Sequence, residues 1–205
     1  MNYPNLWITF NGEIYNFKEL RDELRKKEYT FKSQTDTEVI LASYAEWGPE
    51  CVKRFNGMFA FAIWDEANQT LFAARDHIGI KPFYYSYENG VFLFGSEIKA
   101  ILAYPSFKKE LNEESVPLYL TFGCVPAPHT LFHGVKKLPA AHTLTLDAYG
   151  ILKIAEFWSP LGESVKCQVS NVKCTEEFFV SETKRILEDS IRIQMVSDVP
   201  FGCFL

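Results

Sequence analysis

The spacing of apolar positions changes several times along the chain, and each change marks an element. Residues 6–10 (LWITF) form a β-prone run that stops at Asn11-Gly12, so a strand is predicted there. Asn16 and Glu19 have capping-box spacing, and Phe17, Leu20 and Leu24 fall on one face of a helix ending near Lys27. A short strand is predicted at 29–32. Thr35 and Glu38 then repeat the capping-box spacing ahead of Val39, Ile40, Leu41 and Tyr44, and Gly48-Pro49 ends that second helix.

Residues 58–64 are almost wholly apolar, residues 71–75 repeat the character after the turn at 66–69, and residues 83–87 and 91–94 flank Glu88-Asn89-Gly90. These are antiparallel strands. The run at 58–64 has no polar alternation, so both its faces should be covered, with helices packed on the sheet. Residues 97–103 and 113–122 read as helical, the two prolines of 125–128 favour an extended stretch, and residues 142–146 and 151–158 make a last hairpin around 148–150. Residues 162–173 are polar and irregular. Beyond them Thr175 caps a long amphipathic pattern through Phe178, Phe179, Ile186, Leu187 and Ile191, and the chain closes on an apolar, strand-like run at 199–205.

Composition narrows the class to a folded, β-containing domain, because 47% of the 205 residues are hydrophobic and 16% are aromatic. A net charge of −5 with scattered Lys and Arg argues against nucleic acid as a partner. Five cysteines without CxxC spacing, and without His in metal-ligand register, read as reduced thiols and leave no metal site expected. No signal-like leader or membrane-length apolar run is present in the sequence, which favours a cytoplasmic protein.

Taken alone, Asn11-Gly12 is a hairpin dipeptide. The helix start at Asn16 leaves no room for a second strand, and an Asn-Gly pair between strand and helix offers two donors, a side-chain amide and a backbone N–H that a substrate can approach closely. That is the equipment of an oxyanion hole. Asp36 reads either as part of a helix cap or as a carboxylate able to hold an amino group while N-terminal amides hold a carboxylate. Glu13 divides in the same way between a surface glutamate and a substrate contact. Residues 75–82 (RDHIGIKP) read as a salt-bridged turn, and His77 has no nucleophile nearby in sequence. His129, His133 and His142 fit no metal spacing.

In order along the chain, FNGEIYNF (10–17), TDTEVIL (35–41), NGMFAFAIWD (56–65), ARDHIGIKPFYY (74–85), GSEIKAIL (95–102), YLTFGCVPAPHTLF (119–132) and SDVPFGCFL (197–205) resemble glutamine-hydrolysing asparagine synthetases. The resemblance covers almost the whole chain. It implies an α+β fold: an N-terminal-nucleophile αββα sandwich over residues 1–160 with two antiparallel sheets between helix layers, a linker at 161–174, and at 175–205 the first helix and strand of an α/β ATP-pyrophosphatase-type synthetase domain. It also implies that Asn11 and Gly12 form the oxyanion hole, that Glu13 contacts glutamine, that Asp36 holds the α-amino group, and that Leu205 lies beside ATP.

The family activity so implied is ATP-dependent transfer of the glutamine amide nitrogen to aspartate, giving asparagine, glutamate, AMP and pyrophosphate, with Mg2+ accompanying ATP. Its nucleophile is a cysteine exposed at the mature N-terminus. Met1 is followed here by Asn2, and Cys51 lies beyond both helix starts. The chain therefore reads as a fragment lacking both ends, inactive alone, binding no cofactor itself, with aspartate and ATP belonging to the remainder of the synthetase domain. An exposed sheet edge is compatible with a homodimer. The alternatives are a non-catalytic glutamine-binding or interaction module, and an amidotransferase or β-lactam-synthetase-like protein with another acceptor.

Overall fold

Residues Leu6–Ile14 form one continuous strand, β1, which runs through Asn11 and Gly12 without turning. The computed structural model describes residues 5–160, 175–195 and 202. After β1 come α1 (Phe17–Lys26), α2 (Asp36–Trp47), a 3-10 turn at Gly48–Arg54, β2 (Gly57–Asp65), β3 (Thr70–Arg75), β4 (Tyr84–Glu88) and β5 (Val91–Gly95). They are followed by α3 (Ile98–Leu102), a 3-10 turn at Glu113–Ser115, α4 (Val116–Phe122), β6 (Lys136–Lys137), β7 (His142–Leu146), β8 (Leu152–Glu156) and α5 (Glu176–Gln194). Two compact units result, Met1–Ser159 and Pro160–Leu205. The segment 161–174 and the run 199–205, apart from Gly202, lie outside the described residues.

The strands make two antiparallel sheets, of order β1-β2-β3-β7-β8 and β5-β4-β6. Their packing explains why β2 lacks polar alternation. Its Phe59, Phe61 and Ile63 enter a core shared with Leu20 and Leu24 of α1 and Val39 and Ile40 of α2. The intervening Ala60 and Ala62 face the second sheet, where their small side chains leave room for Phe83, Tyr85 and Phe94. Both faces of β2 are covered, as the apolar run predicts. The result is an α+β sandwich.

Several local expectations are overturned. The strand ending at Asn11-Gly12 instead continues to Ile14, since Asn11 pairs with Ala60 and Gly12 with Phe59. The Asn16 side chain makes no cap bond to α1. Its Oδ1 accepts from Asn56 N at 2.9 Å and its Nδ2 donates to Arg54 O at 2.9 Å, which pins the helix start to the approach of β2. Thr35 makes no side-chain cap bond either; Glu38 reaches back to the N–H groups of Lys32 and Ser33 at 2.8 and 2.7 Å. Residues 29–32 join no sheet and form irregular backbone. The stretch 125–128 includes a turn closed by His129 N donating to Pro126 O at 3.0 Å.

Other expectations hold. Gly48, at φ +59°, caps α2, and Thr175 accepts from Phe178 N at 3.2 Å to cap α5. Among the described residues no helix is long and apolar enough to cross a membrane.

Candidate active site

β1 lies at the edge of the five-stranded sheet, so one side of its backbone pairs with β2 and the other faces outward. Antiparallel pairing alternates, and the bonds at its two ends show which residues point which way. Beyond β1, Tyr15 N donates to Asn56 O at 2.8 Å, and before it Glu66 N donates to Asn5 O at 2.9 Å. In the unbroken register between them the odd-numbered residues bond to β2. The N–H groups of Leu6, Ile8, Phe10, Gly12 and Ile14 therefore face the open edge. Ile14 confirms the phase: its N–H is taken by the carboxylate Oδ2 of Asp36 at 3.0 Å.

Gly12 is required by this geometry. Its φ is +146°, and a Cβ at the position would stand 2.0 Å from Met58 O. The missing side chain thus lets β1 and β2 approach closely here, while the N–H points away from β2. Across the strand pair, Phe59 opposes Gly12, and Phe59 is itself held from the far side. Its N–H donates to Asp76 Oδ2 at 3.2 Å, and its carbonyl accepts from Asp76 N at 2.8 Å.

Asn11 projects from the sheet face opposite the helices, toward β5. Its Nδ2 donates to Ser96 Oγ at 3.3 Å. The two residues line a cleft of about 100 Å³ between the sheets, with Thr9, Ala60 and Phe94 among its walls. The amide thus has one N–H committed to Ser96 and a second for a ligand. Glu13 shares the Asn11 face and is exposed. Its charge adds to burial in raising the Tyr15 phenol pKa.

Asp36 is the first residue of α2, where the helix dipole favours negative charge. Its Oδ1 lies 3.5 Å from the Thr37 hydroxyl, and a carboxylate retains acceptor capacity beyond these contacts. The outward N–H groups of Gly12 and Ile14 are two residues apart, about 7 Å along a strand.

The structure thus gathers Asn11, Gly12 and Asp36 around one edge, with Glu13 beside them. Leu205 lies outside the described residues. Sequence reasoning missed three contributors. Ser96 carries no local signal. Arg21 is only 4% exposed although charged, and its place in the Phe17, Leu20, Leu24 stripe of α1 is the signal that could have found it. Glu38 looked like a capping residue and instead ties down the segment before Asp36.

The RDHIGIKP turn is structural, but not through a salt bridge. Arg75 donates to the carbonyls of Lys81, Leu138 and Gly79, each at 2.7 Å. Besides Phe59, Asp76 accepts from Ile78, Ile80 and Lys81 N–H groups at 3.2, 2.9 and 3.0 Å. Each charge is spent on backbone, because a tight connection has many unpaired amides and carbonyls to satisfy. His77 packs edge-on against Phe59, Phe157 and Trp158, and burial lowers its pKa.

Residues 1–158 match the glutamine amidotransferase domain family. The chain belongs to that family. The chain is also 43% identical, over 201 residues, to glutamine-hydrolysing asparagine synthetase 3 of Bacillus subtilis, a match covering 97% of this chain and 31% of that protein. Asparagine synthetase 1 of the same organism is 39% identical over 199 residues, covering 97% and 30%. The chain spans about a third of the length of these curated relatives. Its fold is similar to the solved glutamine phosphoribosylpyrophosphate amidotransferase of B. subtilis, with a TM-score of 0.51 at 17% identity over 75% of this chain and 29% of that one.

Proposed function

We propose that this amidotransferase domain binds glutamine at the β1 edge and stabilises the oxyanion formed when its side-chain amide is attacked. The observation that carries the reading is the Gly12 N–H, which faces outward beside the Asn11 amide and one residue pair from the Asp36 carboxylate. Attack on the δ-carbonyl places negative charge on its oxygen, and two fixed donors lower that barrier. With water as the final acceptor the products are glutamate and ammonia. Asp36 selects the α-ammonium group through a charge-assisted hydrogen bond.

For the whole protein we propose glutamine-dependent, ATP-dependent synthesis of asparagine from aspartate, yielding glutamate, AMP and pyrophosphate, in the cytoplasm. The two relatives at 43% and 39% identity, both named for that activity, support it. ATP and Mg2+ belong to this proposal at the level of the whole protein. Among the described residues, no group of three or more His, Cys, Asp or Glu side chains could hold a metal ion.

A second reading, a glutamine-binding module without turnover, is favoured by the placement of the described thiols. Cys51 is buried in the helix-side core, on the sheet face opposite Asn11, and burial raises its pKa strongly. A nucleophile needs the reverse, an accessible thiolate. Cys124 is exposed but does not line the Asn11 cleft.

Ammonia release from L-glutamine by the purified chain separates the two readings. Glutamine-specific release abolished by Asn11→Ala establishes hydrolysis by this chain. Saturable glutamine binding with no release establishes the binding module, and no binding at all overturns both.

A further inference from the structure

We infer that Arg21 is a positioning residue for Asp36, and through it for recognition of the substrate's α-amino group. The second half of this statement rests on the reading of Asp36 given under the proposed function. Residues 28–35, between α1 and α2, form neither helix nor strand, yet they deliver the first residue of α2 to the edge of β1. Whatever fixes this strap fixes where the Asp36 carboxylate lies.

Arg21 fixes it from α1. One guanidinium nitrogen donates to Gln34 Oε1 at 2.6 Å, and another to the carbonyl of Thr35, immediately before Asp36, at 2.9 Å. The rings of Phe17 and Phe31 flank the group at 5.2 and 5.5 Å, which restrains its plane. Glu38 holds the same strap from α2, accepting from Lys32 N, Ser33 N and Ser33 Oγ at 2.6–2.8 Å.

An arginine is an expensive filler for an apolar stripe. Burial strips its hydration, and the Nε of Arg21 is buried with no hydrogen-bond partner. An aliphatic residue would pack against Leu20 and Leu24 without that penalty. What an aliphatic residue could not supply is a two-pronged hold on Gln34 and Thr35.

The test compares wild type, Arg21→Met, Arg21→Lys, Gln34→Ala and Asp36→Ala in the full chain. The first readout is hydrogen exchange at the Ile14 amide, whose acceptor is Asp36, against the Phe61 amide inside the sheet. A positioning role predicts exchange about tenfold faster at Ile14 in Arg21→Met, comparable to Asp36→Ala, with Phe61 unchanged. Gln34→Ala, which removes one of the two prongs at the surface, predicts a smaller change of the same kind. Ile14 and Phe61 accelerating in parallel marks a merely structural arginine and overturns the inference, as does no change at Ile14. Should Arg21→Met fail to fold, Arg21→Lys and Gln34→Ala decide it by the same comparison.

The second readout is the preference for L-glutamine over 4-carbamoylbutanoate, which lacks the α-amino group. It falls about tenfold in both Arg21→Met and Asp36→Ala if Arg21 acts through Asp36. Loss in Asp36→Ala but not in Arg21→Met overturns the inference and leaves the glutamine reading standing. No preference in wild type overturns the glutamine reading, while Ile14 exchange still decides whether Arg21 positions Asp36.

Discussion

The Asp36 carboxylate accepts the backbone N–H of Ile14 at 3.0 Å, so the start of α2 is tied to the end of β1 two residues beyond Gly12. A hydrogen bond to a charged acceptor contributes about 1.5–3 kcal/mol when the alternative is an unsatisfied amide. Asp36→Ala should lower unfolding free energy in urea by an amount in that range, and Asp36→Asn, which keeps an acceptor, should recover at least half. Equal losses in the two variants would show that charge, not hydrogen bonding, ties the helix to the strand.

Gly12→Ala should be among the most damaging conservative changes in the chain. The new Cβ would meet Met58 O at 2.0 Å at a φ of +146°, and backbone on both sides is held in a sheet. A cost of about 2 kcal/mol or more is expected. Gly48→Ala is the control, because its Cβ would meet nothing within 4 Å and only its φ of +59° is unfavourable. Denaturant midpoints should rank the two variants in that order.

Removing the Asp76 carboxylate should weaken the sheet opposite Gly12. Asp76→Ala leaves the N–H groups of Phe59, Ile78, Ile80 and Lys81 without their acceptor. The Phe59 amide lies in the core, so a loss of about 3 kcal/mol or more is expected. Thermal unfolding of Asp76→Ala and Asp76→Asn measures it, with the Asn variant intermediate.

His77 gives the domain a pH dependence of defined sign. Burial lowers its pKa in the folded state below the ordinary 6.5, with the Asp76 charge opposing. Folding therefore favours the neutral ring. Its contribution is fully present above 6.5 and is lost as pH falls from there through the lower folded-state value. His77→Phe should flatten the fall in stability on going below pH 6.5, as read from urea midpoints at successive pH values. An unchanged slope would place the titrating group elsewhere.

Much of the architecture is legible in the apolar pattern. The unbroken run at 58–64 announces a strand covered on both faces, and β2 is buried in two cores. The stripe of Phe17, Leu20 and Leu24 announces α1. Side-chain roles at the element ends were less legible, because a local pattern is silent about distant partners. Asn16 and Glu38 have capping spacing, but Asn16 bonds to Asn56 and Arg54, and Glu38 bonds to Lys32 and Ser33. Residues 29–32 have strand-like composition but join no sheet. The candidate site was half visible for the same reason. Asn11, Gly12 and Asp36 stand out by residue type, whereas Ser96 and the hold of Arg21 on Thr35 depend on contacts 85 and 14 residues apart in sequence.

The most direct test of the central claim is a 15N NMR titration of the chain with L-glutamine. The Gly12 backbone amide and the Asn11 side-chain amide should shift together and saturate, with the response lost in Asp36→Ala and absent with D-glutamine. A flat titration at both groups, or saturable shifts confined to residues away from the β1 edge, would contradict a glutamine site built on Asn11, Gly12 and Asp36.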